Sequence, residues 1–96
     1  MTKNLKEIEN TLSELTKILN LDNERNWSRG INSALSHVRA GTEEDYRSAK
    51  SIYKTMCSGG AGFMEYYIKR DNSKDQAELN AQLDHARDKL WDLFEC

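Results

Sequence analysis

Apolar residues return every three or four positions in this chain, in four separate runs. Leu5, Ile8, Leu12, Leu15 and Leu19 step by three, four, three and four. Trp27, Ile31, Ala34, Leu35 and Val38 form the second run, Tyr46, Ala49, Ile52, Tyr53 and Met56 the third. Leu79, Leu83, Ala86, Leu90 and Leu93 form the last, with Trp91 and Phe94 widening it. An α-helix turns once in about 3.6 residues, so this spacing draws one apolar stripe along one helix face. A half-buried strand would instead alternate with a period of two. No proline interrupts any run, and proline is the strongest helix breaker. The rhythm predicts an all-α protein: a single antiparallel bundle of four main helices, stripes inward, with a short extra helix after a Gly-rich link.

Capping residues set the expected boundaries. Asn4 with Glu7 suggests a capping box at the start of a helix over about 4–20. Asn20-Leu21-Asp22-Asn23 is rich in turn formers, and a second helix follows over about 23–40. Gly30 inside it suggests a close helix contact, and Gly41 suits the position just past its end. Thr42 caps a third helix, with Glu43, Glu44 and Asp45 where the helix dipole favours anions. That helix stops near Cys57, because Ser58-Gly59-Gly60-Ala61-Gly62 follows. Phe63, Tyr66 and Tyr67 lie at helical spacing, so a short helix over 63–68 is expected, ending by Asp71-Asn72. Ser73, with Gln76 as capping-box partner, starts a helix over about 74–94.

The 96 residues make one domain. A formal net charge of −2 disfavours nucleic acid as a partner, since neutralising phosphates calls for a basic excess. No run approaches the roughly 20 apolar residues of a membrane span, and Met1-Thr2-Lys3-Asn4 does not open a secretory signal. These features imply a cytoplasmic protein with no membrane partner. In that compartment Cys57 and Cys96 are expected as reduced thiols rather than a bridge.

Motifs of catalysis are missing. His37, His85, Cys57 and Cys96 do not take zinc-site spacing, and no cofactor is implied. No nucleophile elbow surrounds a serine, and Cys57 sits at a helix C-terminus, where the dipole raises a thiol pKa. The glycine run lacks the lysine of a phosphate loop, so a tight turn is its simpler reading. Helix two carries Arg25, Arg29 and Arg39 beside acids, and no helix presents a basic face for DNA.

The last helix breaks two local rules on one ridge. Asp84, Asp88 and Asp92 follow at four and four, with Glu95 behind. Like charges at that spacing repel, and anions near a helix C-terminus oppose its dipole. Such a run is commonly a solvated face, or one neutralised by Arg87, Lys89 or a neighbouring helix. The alternative is a surface for a basic partner.

Trp27, Leu35, the Gly41-Thr42-Glu43-Glu44-Asp45 cap and the Gly59-Gly60-Ala61-Gly62 segment followed by Phe63-Met64-Glu65 together carry a resemblance. This stretch, under half the chain, resembles a family of small helical bacterial proteins that includes immunity proteins of toxin systems. The chain departs from the family after the glycines. There it has Phe63-Met64-Glu65-Tyr66 where Ser-Phe-Asn-Asp is usual. The resemblance implies a non-enzymatic immunity protein, of the contact-dependent growth inhibition type, that binds a cognate toxin, often a basic nuclease. On that reading Asp84, Asp88, Asp92 and Glu95 steer the toxin, and exposed Tyr66 or Tyr67 anchors the contact in a chain that is monomeric when alone. A helical adaptor or regulator, homodimeric through a spare apolar face, is the rival.

Overall fold

The computed structural model describes residues 4–58 and 62–95. Helices α1 (Leu5–Leu21), α2 (Asn26–Ala40), α3 (Glu43–Cys57) and α4 (Ser73–Leu93) account for most of them, with a 3-10 turn at Phe63–Glu65. The described residues are therefore all-helical apart from loops, as the stripes predict. Helix α1 packs against both α2 and α4, α2 packs on α3, and α3 meets the 3-10 turn. The stripe residues Ile8, Leu12, Leu15, Leu19, Ile31, Ala34, Tyr46, Ala49, Leu83 and Leu90 are buried in one shared core.

Chain breaks follow from backbone chemistry. Asn23 takes a left-handed conformation, φ +55°, which asparagine tolerates better than most residues. It lets the Asn23 and Glu24 N–H groups turn back to the Asn20 and Leu19 carbonyls, at 3.1 and 2.9 Å. This double closure satisfies the last carbonyls of α1. It also makes a helical residue at 23 impossible, so α2 starts three residues later than expected. The Glu24 carboxylate then accepts from the Asn26 N–H at 2.6 Å and from the Trp27 N–H. Gly41 ends α2 at φ +82° with its N–H on the His37 carbonyl. The Thr42 hydroxyl accepts from the Asp45 N–H at 3.0 Å, as its position predicts.

Two caps differ from expectation. The Asn4 amide donates to the Glu7 carboxylate at 2.9 Å but takes no backbone N–H. For α4, Asn72 is the cap rather than Ser73, accepting from the Lys74 and Asp75 N–H groups. Both residue types cap well, and the chain leaves the preceding segment extended at Asn72. Gln76 is thereby released from capping.

A close approach explains each of two glycines. A Cβ on Gly30 would lie 2.5 Å from the Met56 sulfur, so α2 and α3 meet there as the sequence suggests. A Cβ on Gly62 would lie 2.7 and 2.8 Å from the Ser58 and Met56 carbonyl oxygens. The reading of residues 59–61 as a tight turn falls outside the described residues, as does the state of Cys96.

The short helix expected over 63–68 is a correction. One 3-10 turn forms, and residues 66–70 run without regular structure. Side chains of α4 take the place of a strand partner. Asn80 is buried and brackets Ile68: its Oδ1 accepts from the Ile68 N–H at 2.9 Å, and its Nδ2 donates to the Ile68 carbonyl at 2.8 Å. Gln76 accepts from the Arg70 N–H at 2.8 Å and donates to the Tyr67 hydroxyl. Arg87, only 4% exposed, donates to the Phe63 and Tyr66 carbonyls at 2.5 and 2.9 Å and lies over the Phe63 ring. Buried backbone groups outside helices need such partners.

Candidate protein-binding site

Helix α4 faces the core with Leu83, Ala86, Arg87 and Leu90. Its other side carries Asp84, Asp88 and Asp92, all exposed, with exposed Glu95 just beyond its end. The aspartates sit four residues apart and line one ridge because a helix turn brings such positions together. Their surroundings differ. Asp84 accepts from Arg87, although its own side chain is 65% exposed. Asp88 and Asp92 pair with no described cation. Lys89, the nearest lysine in sequence, turns to α1 and meets Glu7 at 3.0 Å, holding that carboxyl below its ordinary pKa. No basic residue occupies the last turn of α4.

Beside the ridge lies a groove of about 540 Å³, lined by Cys57, Met64, Asp88, Trp91 and Asp92. It brings together the end of α3, the 3-10 turn and the outer face of α4. Trp91 and Met64 are each 36% exposed. Trp91 is thus a wall of the groove and not only a widening of the core stripe. The sequence carried a signal for this: Trp91 is three residues past Asp88 and seven past Asp84, which puts it on the acidic side of α4. Met64 and Cys57 reach the groove through the turn at Gly62, which no periodicity reports.

The two tyrosines separate. Tyr67 is exposed, as expected, with its hydroxyl accepting from Gln76 at 2.8 Å. Tyr66 is not an exposed anchor. It is half-buried, its ring stacks on Phe63 at 6.3 Å between centroids, and its hydroxyl donates to Asp22. Burial, and then the Asp22 carboxylate, push the Tyr66 hydroxyl far above its usual pKa. Asp22 also receives Arg70 at 2.7 Å, so these three side chains tie the irregular segment to the end of α1.

A second groove, about 340 Å³, runs between α1 and α4 and includes Ile18 and exposed Leu21. Among the described residues no three His, Cys, Asp or Glu side chains cluster as metal ligands, and no helix is long and apolar enough to cross a membrane. No family model matches the sequence, and no curated protein or solved structure matches it, so a functional reading rests on the chain's own residues.

Proposed function

We propose that this chain is an immunity protein that binds and neutralises a basic bacterial toxin by protein–protein contact in the cytoplasm, with no catalysis of its own. One observation carries the reading. Asp88 and Asp92 are exposed near the C-terminal end of α4, and no described cation lies against them. Asp92, in the last turn, opposes the helix dipole by about 0.3–1 kcal/mol, and its repulsion with Asp88 adds a few tenths more. A cost left without local compensation fits a surface whose cation comes from outside. Asp84 and Glu95 extend the same field, which speeds encounter with a positive partner and rejects a negative one. Tyr67, exposed and bonded to Gln76 nearer the start of α4, is the further contact on this reading. The four helices close as an antiparallel bundle on this reading, and the protein is a monomer until the toxin binds. The resemblance over Trp27–Ile68 supports the toxin as the class of partner.

The test is co-expression with the toxin encoded beside this gene. The wild-type chain should restore growth, and the double variant D88K/D92K should slow association with the purified toxin by about tenfold or more. If neither this toxin nor any other from the locus is neutralised, the reading fails.

A specific observation favours a second reading, an adaptor that dimerises. Leu21 is 66% exposed along the α1–α4 groove, an apolar surface a second copy would cover. Sedimentation that detects a dimer, abolished by Leu21→Glu, would favour it over the first.

A further inference from the structure

Resting on the reading above, we infer that the groove beside α4 receives an arginine side chain of the partner, stacked on Trp91 and held by Asp88 and Asp92. The molecule contains an internal example of this arrangement. Arg87 lies 5.5 Å from the centre of the Phe63 ring and donates to Asp84, one helical turn before Asp88. Trp91, Asp88 and Asp92 repeat the aromatic and acidic parts of that trio and lack the arginine. Among the described residues, the lining of the groove contains no cation.

Two cations of α4 itself are already engaged, Arg87 by the Phe63 and Tyr66 carbonyls and Lys89 by Glu7. A second copy of this chain would bring the same net charge of −2 to an acidic face, which disfavours self-association there. Nucleic acid is disfavoured for the same reason. Arginine suits the remaining chemistry better than lysine. Its guanidinium is planar, weakly hydrated and able to stack on an indole, and it offers donors in a fork that two carboxylates can share. Lysine is a compact, strongly hydrated point charge. Met64 and Cys57 supply soft apolar walls for the methylene stem. Trp91 is the anchor and the two aspartates give charge specificity.

The experiment titrates the full chain with an alanine-based helical peptide carrying two arginines, and with matched peptides carrying lysine or citrulline. Calorimetry reads the affinity, and chemical shifts of the Trp91 indole N–H report the place. The arginine peptide should bind about tenfold more tightly than the lysine peptide, with the citrulline peptide weaker still. Trp91→Ala and the pair D88N/D92N should each lower affinity about tenfold. Trp91→Phe should retain part of the binding if stacking is the cause. All three side chains changed, Trp91, Asp88 and Asp92, are exposed, and unchanged far-ultraviolet dichroism checks that the fold persists. Equal binding of arginine and citrulline, no response at Trp91, or a groove closed by a dimer in sedimentation overturns the inference. Failure here with toxin neutralisation intact leaves the immunity reading standing. Arginine binding in the groove without neutralisation of any toxin removes that reading and keeps the groove.

Discussion

The α2–α3 pair and the segment over residues 62–70 are both packed on the core, and they are held by opposite means. Helices α2 and α3 satisfy their own backbone groups and are held mainly by apolar contact: Ile31, Ala34, Leu35 and Ala49 are buried, Gly30 lets Met56 approach, and the buried rings of Tyr46 and Tyr53 add hydroxyl bonds to the Phe94 and Arg87 carbonyls. The 62–70 segment offers loose N–H and carbonyl groups, and polar side chains of α4 meet them one by one. Apolar contact tolerates exchanges that conserve volume, because it asks for fit rather than for a particular donor or acceptor. A directed hydrogen bond to a buried group has no such slack, since its loss leaves the full desolvation cost.

That contrast ranks the consequences of substitution. Arg87→Ala should have the largest effect, about 3 kcal/mol, because it orphans the Tyr66 carbonyl, leaves the Phe63 carbonyl with only the Tyr66 N–H, and removes the cation over the ring. Urea denaturation measures it, and Arg87→Met tests the cause: recovery by the apolar stem would mean that packing rather than donation matters. Asn80→Ala should follow at about 2 kcal/mol, with amide exchange accelerated at Ile68. A protected Ile68 amide in that variant would break the bracket argument. The glycines make the sharpest pair. Gly62→Ala meets backbone oxygen at 2.7 and 2.8 Å and should cost about 1–2 kcal/mol. Gly30→Ala meets only the flexible end of Met56, and helix propensity returns up to about 1 kcal/mol, so its net effect in thermal melts should stay within about 0.5 kcal/mol.

The smallest effect belongs to the joint between α2 and α3. His37, and then Thr42, hydrogen-bond Asp45 and hold its carboxyl below the ordinary 3.8. A depressed folded pKa adds stability that is present above the unfolded value and disappears as pH falls through the folded one. Asp45→Asn should therefore flatten the loss of stability below about pH 4, its small cost being present at pH 7 and vanishing in acid. An unaltered acid limb would show that this pair contributes nothing to the joint.

The same contrast explains what was legible in advance. Stripes, Gly41, Thr42 and the Gly30 contact depend on neighbours within a few residues, and they were readable. The outward ridge of Asp84, Asp88, Asp92 and Glu95 was readable for the same reason. Residues 66–70 were not, because Asn80 and Arg87 lie far along the chain and look like ordinary polar positions on α4. The half-buried place of Tyr66 is hidden on similar grounds: its partner Asp22 is 44 residues away. The cap of α4 moved by one residue because Asn72 and Ser73 are both good caps in sequence. Trp91 reads as core because an indole next to a leucine stripe resembles more of the stripe.

Asn80 and Arg87 give α4 a second role. The rod that clasps the irregular stretch from within is also the one that bears the aspartates outside, so the outer row inherits a stiffness fixed from the inside. On the proposed reading, a partner at that row meets carboxylates whose backbone was set during folding, and little of its contact energy goes into ordering the host.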